Sequence, residues 1–160
     1  MIVFDVEADG LLDQATKIHC LSYTHDGKDY TTLYDYSAMR DLILSQRGLI
    51  GHNIIRYDVP LLEKILGIKV TARLFDTLPM SWVINYDRPK HGLESFGEDF
   101  GVPKPQIDDW HNLTQEEYGH RCTEDVKINW LLWQNLLKRF MFIYKDKKQL
   151  DKFFRYLEFK

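Results

Sequence analysis

The stretch Met1-Ile-Val-Phe-Asp-Val-Glu-Ala-Asp-Gly10 decides the fold of this chain. Its apolar residues at positions 2–4 and 6 are typical of a short buried strand. Asp5 and Glu7 project from one face at the end of that strand, because side chains two residues apart point the same way. Two buried carboxylates on one face repel each other unless a cation lies between them, which favours a divalent-metal site. The alternative is that the strand ends at residue 5 and that both acids face water.

Length and composition indicate one folded domain over residues 1–160. The chain has 160 residues, of which 44% are hydrophobic and 28% charged, and this is enough for one core. It contains no apolar run of membrane-spanning length, and its N-terminus lacks the positive-then-apolar layout of a secretory signal. Cys20 and Cys122 are too few for a disulfide framework, and we expect both to be buried thiols in a reducing compartment.

The charge of the chain is unevenly distributed. Residues 138–160 carry eight lysines and arginines against three acids, a net charge of +5, whereas the other residues together carry −8. An acid-rich body with a basic end fits a metal-using enzyme that handles a polyanion. The alternative is that the basic end is only the solvated face of a helix.

Hydrophobic periodicity and turn residues predict a mixed α/β fold. A hairpin turn at Asp26-Gly27 joins two antiparallel strands, and short strands then alternate with helices. Ser37 and Thr114 are the expected helix caps, with Glu117 closing a capping box, and Gly67 and Gly101 are the expected helix stops. Strands are predicted at residues 2–6, 17–24, 29–35, 49–52 and 73–76. Helices are predicted at 37–46, 58–66, 78–84, 93–100, from 114 to about 140 with a break near Gly119, and in the tail to 160, with an irregular loop at 102–112.

Two further acids occur near predicted helices. Asp58, at the end of Gly51-His-Asn-Ile-Ile-Arg-Tyr-Asp58, begins a helix just after a short strand, where an Asp can also be only a capping residue. Asp125 lies in a helical stretch, five residues after His120, and either side chain can be simply solvated there. Each position by itself is weak evidence for a functional site.

Taken in order, the motifs resemble the DEDD superfamily of 3′→5′ exonucleases. The set comprises Asp-x-Glu at Asp5 and Glu7, His-Asn-x-x-x-Tyr-Asp ending at Asp58, and Asp125 five residues after His120. The segments Phe75-Asp-Thr77 and His91-Gly-Leu-Glu-Ser-Phe-Gly97 are similar to parts of the proofreading domains of family A DNA polymerases, especially those of T7-like phages. The resemblance covers nearly all of the chain and implies a single RNase H-like domain, a mixed α/β sheet flanked by helices.

The third motif departs from the T7-like pattern. Those domains carry a tyrosine four residues before the final Asp, where this chain has Arg121, which stays protonated and cannot act as a base. The histidine branch of the superfamily carries a His five residues before that Asp, and His120 matches it. Tyr118, seven residues before Asp125, is an alternative that fits neither pattern.

The resemblance implies hydrolysis of phosphodiester bonds with two divalent cations, Mg²⁺ or Mn²⁺, held by carboxylate oxygens. Asp5 would bridge the two ions. Glu7 and Asp125 would complete the ion that activates water, and Asp58 would serve the ion on the leaving-group side. His120 would accept the proton of that water.

Four residues beside these motifs are candidates for contacts with a single-stranded 3′ end. Leu11 and Leu12 could wedge against the terminal bases or be ordinary core residues. Tyr57 could stack on a base or be buried, and Asn53 could bond a phosphate or the terminal sugar.

The sequence therefore predicts a metal-dependent 3′→5′ exonuclease that acts on single-stranded DNA, in proofreading or DNA processing during replication. It would work alone or with a polymerase domain and replication proteins, away from membranes, in the cytoplasm of a bacterium or of a phage-infected host. Residues 140–160 would be a basic helical tail or the start of a polymerase region. An RNA-directed exonuclease of the same fold and a catalytically idle domain that binds nucleic acid or a partner are the alternatives.

Overall fold

The computed structural model describes residues 1–102, 104 and 113–158. Most of the predicted loop at 102–112, and the last two residues of the predicted tail, lie outside this part of the chain. Within it the strands are β1 (Ile2–Ala8), β2 (Ile18–Thr24), β3 (Tyr30–Leu33), β4 (Gly48–Gly51) and β5 (Arg73–Asp76). The helices in the same residues are α1 (Tyr36–Ser45), α2 (Asp58–Leu66), α3 (Thr77–Ile84), α4 (Leu93–Phe100), α5 (Gln115–Ile143) and α6 (Lys147–Glu158).

The strands form one mixed sheet in the order β3-β2-β1-β4-β5, which confirms the predicted α/β class. β2 is antiparallel to both β1 and β3, whereas β4 is parallel to β1 and β5. The predicted turn at Asp26-Gly27 joins β2 to β3, and Gly27 has the positive φ of 73° that such turns favour. β1 is therefore the central strand, and the chain that leaves β4 emerges at the same edge as the end of β1.

Side chains of β1 alternate between two cores, one on each face of the sheet. Phe4 packs with Met39 of α1 and Leu61 of α2 in one buried cluster. Val3 packs with Val126 of α5 in the other, which also includes side chains of α3, α4 and α6. Because Asp5 and Glu7 share the alternation of Val3, they face α5, and this places the acids of the first motif against the third motif.

Most helix ends follow the predicted local signals. Gly67 and Gly101 end α2 and α4 in the left-handed conformation, and Thr114 and Glu117 form the predicted capping box of α5. The predicted cap at Ser37 is wrong, because the Asp35 carboxylate accepts the backbone N–H of Ala38 at 2.8 Å and the helix begins one residue earlier. The third strand is also shorter than predicted, at four residues.

The predicted break near Gly119 is absent, because α5 runs without interruption through that residue. Gly119 is instead buried where the helix passes close to Tyr34, and a Cβ at this position would meet the Tyr34 hydroxyl. Gly97 in α4 has a similar role. The Val102 N–H donates to its carbonyl oxygen at 2.8 Å, and a Cβ on Gly97 would meet the Val102 carbonyl. Both glycines permit close packing rather than flexibility.

Candidate metal centre

Three of the predicted acids meet between β1 and α5. Carboxylate oxygens of Asp5, Glu7 and Asp125 all lie within 4.8 Å of one another. Cys122, one turn before Asp125, donates its thiol to the backbone oxygen of Asp5 at 3.2 Å and so ties α5 to β1. Cys20 and Cys122 are both free and buried, as the sequence predicts. An all-oxygen cluster of this kind suits hard cations such as Mg²⁺ and Mn²⁺.

Asp58 is buried beside this cluster, at the first residue of α2. Burial raises its pKa to about 8, although hydrogen bonds from its own backbone amide and from that of Val6 act in the opposite direction. Burial also raises the pKa of Asp5 well above its ordinary value, and the negative charges of Asp125 and Asp58 raise it further. The carboxylates therefore repel one another electrostatically, and a bound cation would reduce that repulsion.

Two basic side chains of the chain itself bind this acidic cluster. Arg121 Nε lies 3.0 Å from Glu7 Oε1, and Lys104 Nζ lies 2.7 Å from Asp125 Oδ1. Arg121 is on the same face of α5 as Asp125, four residues earlier, which explains why it reaches the site. Neither ion pair follows from local sequence patterns.

His120 lies on an exposed part of α5 and is not among the residues that form the acidic cluster. Positions five apart on a helix differ by about 140°, so His120 and the buried Asp125 lie on different faces. Its role as the base stays a prediction.

Tyr118 and Glu7 both line a cavity of about 580 Å³. Burial and the charge of Glu7 raise the pKa of the Tyr118 hydroxyl, so the group stays protonated. Its ring stacks on His19 of β2, with centroids 3.9 Å apart and planes inclined by 7°. Burial and the nearby charge of Lys17 lower the pKa of His19, which favours the neutral ring. The pair presents an uncharged aromatic surface beside the acids.

The four candidate nucleic-acid contacts have different environments. Leu11 is 73% exposed and lines the cavity at Glu7, whereas Leu12 packs against the core. Tyr57 is half-buried, and its hydroxyl donates to the Gly10 carbonyl at 2.6 Å, which joins the second motif to the loop after β1. Asn53 is half-buried with a positive φ of 65°. Leu11 is thus the member of this group with most surface available to a ligand.

Sequence reasoning noted Asp76 only as part of a resembling segment, yet it holds the second motif in place. Its buried carboxylate accepts the backbone N–H groups of Asn53 at 2.8 Å, Ile55 at 3.1 Å and Leu78 at 3.0 Å. The first two belong to the loop that leads from β4 to Asp58. The Phe75-Asp-Thr77 segment was the available signal, because an Asp after a strand is a good helix cap.

Thr77, the next residue, connects the same loop to α5. Its hydroxyl lies 2.9 Å from Nδ1 of His52 and donates to Oδ1 of Asn129 at 2.7 Å. Asn129 is one turn after Asp125. The network therefore fixes the helix turn that carries the third motif relative to the loop that carries the second.

Comparison with known proteins supports the resemblance to exonuclease domains that the motifs indicate. The chain is 26% identical to the DNA-directed DNA polymerase of Escherichia phage T7 and 25% identical to that of Enterobacteria phage T3, in alignments that cover 88% of this chain. The chain is homologous to the exonuclease region of these polymerases. It spans about a quarter of their length, 24% in each case. No family model matches the chain.

Solved structures show the same fold. Brucella melitensis NrnC superposes with a TM-score of 0.72 at 21% identity, covering 98% of this chain and 81% of NrnC. Escherichia coli RNase D, an exoribonuclease involved in structured RNA processing, gives 0.66 at 15% identity, covering 99% of this chain and 45% of RNase D. NrnC has also been solved with bound Mg²⁺ and bound to pGG. The RNase H-like fold of DEDD-type exonucleases is thereby confirmed, as is the recognition of that pattern in the sequence.

None of the helices in the described residues is long and apolar enough to cross a membrane.

Proposed function

We propose that this chain is a divalent-metal-dependent 3′→5′ exonuclease that removes nucleotides from the 3′ end of single-stranded DNA. The observation that carries the proposal is the convergence of Asp5, Glu7 and Asp125 beside the buried Asp58. Homology to phage DNA polymerases supports DNA as the substrate. Mg²⁺ in the structure of NrnC supports magnesium as one cofactor.

The four acids would hold two divalent ions, which supply an activated water and positive charge at the leaving oxygen. Asp5, at the centre of the cluster, is suited to contact both ions. Glu7 and Asp125 are suited to the ion on the water side, and Asp58 to the ion on the leaving-group side. The protonated hydroxyl of Tyr118 would orient the water, or His120 would accept its proton.

The cavity at Glu7 is where a terminal nucleotide would lie. Its volume of about 580 Å³ is typical of small-ligand sites. The Tyr118–His19 pair offers a stacking surface, and Leu11, which lines the same cavity, offers an exposed apolar contact. Neither contact reads base identity, so the activity is expected to be independent of sequence.

The test is digestion of a 5′-labelled single-stranded oligonucleotide with Mg²⁺ or Mn²⁺. The expected product is a ladder that shortens from the 3′ end and disappears in Asp5→Asn, because the central ligand charge is lost. Asp41→Asn, at an exposed position on α1, is the matched control and should leave the rate unchanged. Absence of cleavage with either metal would leave only a role in binding, and undiminished cleavage by Asp5→Asn would overturn the assigned site.

An RNA-directed exonuclease is the second candidate, because RNase D is an exoribonuclease with the same fold. DNA and RNA versions of one oligonucleotide, digested side by side, separate the two. We expect faster digestion of DNA, and a preference of tenfold or more for RNA would favour the second candidate.

We also propose that residues 1–160 act as one exonuclease domain in the cytoplasm of a bacterium or phage-infected host, in proofreading or DNA processing. The homologous polymerases support a replication role. Whether the domain serves a polymerase can be tested by the mutation rate of phage or cells that carry Asp5→Asn, which should rise if mismatched ends are its substrate.

A further inference from the structure

Arg121 and Lys104 bind the acids to which the proposed function assigns metal ions. Arg121 and Glu7 are each 15% exposed, and Lys104 and Asp125 are 20% and 7% exposed. Such shielded pairs are screened less by solvent than surface ion pairs are. They therefore neutralise a substantial part of the negative charge that would otherwise attract a divalent ion.

The charge and the position of Arg121 both maintain its ion pair with Glu7. The guanidinium group of an arginine carries a permanent positive charge in proteins. Arg121 lies on the face of α5 that carries Asp125 and reaches Glu7 across the space between helix and strand. A cation that binds Glu7 and Asp125 together would thus be close to the guanidinium group and repelled by it.

We propose that Arg121 and Lys104 are internal counter-ions that stabilise the metal-free site and that divalent ions must displace. The inference rests on the proposed function, since it concerns the same metal ligands. Metal affinity is then lower than four acids alone would give, and the metal-free protein is more stable than an unpaired acidic cluster would allow. The ion pair of Arg121 with Glu7 therefore raises the concentration of divalent metal that is needed to occupy the site.

A purely structural role for Arg121 makes a different prediction. If the arginine only tied α5 to β1, its removal would weaken metal binding, because the ligands would be held less well. As a counter-ion it has the opposite effect, since its removal leaves Glu7 unpaired and available. The sign of the change in metal affinity therefore separates the two roles.

The experiment is calorimetric titration of the metal-free protein with Mn²⁺, together with thermal unfolding in EDTA and in saturating Mn²⁺. Arg121→Gln is expected to bind Mn²⁺ about tenfold more tightly, the effect of one shielded charge–charge interaction. Its melting temperature should fall in EDTA and rise more on addition of Mn²⁺ than that of the wild type. Arg121→Lys keeps the charge and should bind within about threefold of the wild type.

Lys127→Gln is the matched control. Lys127 lies on the same helix and pairs with Glu124, which is not a proposed ligand, so Mn²⁺ affinity should stay unchanged. Lys104→Gln provides a second variant with the same expected direction if Arg121→Gln does not fold. If Arg121→Gln binds Mn²⁺ no more tightly than the wild type does, the inference is overturned while the proposed function stands. If Arg121→Gln is unfolded, the same result in Lys104→Gln overturns it. Absence of binding in the wild type and in both variants overturns the metal site and the inference with it.

Discussion

Tyr118, Arg121 and Asp125 succeed one another along one side of α5 at intervals of three and four residues. This spacing explains why Arg121 reaches Glu7 and why Tyr118 lies beside the cavity at that residue. His120 falls outside the spacing and is exposed. The sequence match of His120 to the histidine branch and the position of Tyr118 in the structure therefore favour different residues as the partner of the water.

Tyr118→Phe and His120→Ala separate these two assignments. We expect a loss of about 10- to 100-fold in the exonuclease rate for Tyr118→Phe, because the variant keeps the ring that stacks on His19 and loses only the hydroxyl. His120→Ala should stay within about threefold of the wild type between pH 6 and 9. A loss of about 100-fold in His120→Ala, with near-normal Tyr118→Phe, would identify His120 as the base.

The loop between β4 and α2 is the element whose position matters most for the site, because it delivers Asp58. Its shape depends on hydrogen bonds to the carboxylate of Asp76, the last residue of β5, more than 20 residues later in the chain. Parallel pairing of β4 with β5 places Gly51 opposite Asp76 and so brings the two together. The loop is therefore held by the neighbouring strand and not by its own sequence.

Asp76→Asn tests this dependence. An asparagine has one acceptor oxygen in place of two, so at least one of the three partly buried N–H groups loses a good partner, at a cost of about 1–3 kcal/mol. We expect the free energy of unfolding in urea to fall by that amount and the exonuclease rate to fall because Asp58 is displaced. Asp87→Asn, at an exposed position after α3, is the control and should change neither quantity. An unchanged unfolding midpoint in Asp76→Asn would show that the loop is fixed by other contacts.

Elements with local signals were predictable, and contacts between distant residues were not. The C-terminal ends of α2 and α4 follow from glycines, the start of α5 follows from a capping box, and β1 follows from its apolar residues at positions 2–4 and 6. That the four acids lie in one site is predicted by the resemblance to a known family and not by hydrophobic periodicity. The Arg121–Glu7 pair joins residues 114 apart in sequence, and nothing in either segment alone specifies it. The prediction of Ser37 as the N-cap of α1 is wrong because the carboxylate of Asp35, two residues earlier, accepts the hydrogen bond of the cap.

At the scale of the whole molecule, the acids form a negative centre inside the fold, and the stability of the fold depends on their protonation. The ordinary pKa of Asp58 is near 3.8, and in the folded protein it is about 8. Between these pH values the folded state binds a proton that the unfolded state releases. The contribution of Asp58 to stability is therefore complete below about pH 4 and is lost as the pH rises towards 8.

Asp58→Asn removes the part of this pH dependence that comes from Asp58. In EDTA we expect the variant to match the wild type at and below about pH 4 and to become progressively more stable than it as the pH rises towards 8. Addition of Mn²⁺ should raise the melting temperature of the wild type more than that of the variant, because the variant has lost a ligand. The measurement is thermal unfolding at half-unit pH intervals with and without metal. A difference that does not change with pH would show that Asp58 does not titrate in this range.

The close contact between Gly97 and Val102 has a consequence for how related sequences diverge. It fixes the direction in which the chain leaves α4, and Lys104 lies only two residues beyond Val102. A homologue with a larger residue at position 97 must redirect this segment and would present a different side chain, or none, to Asp125. Substitutions at this buried glycine, which is not one of the proposed ligands, are therefore expected to coincide, among homologues, with changes in the metal concentration that each enzyme requires.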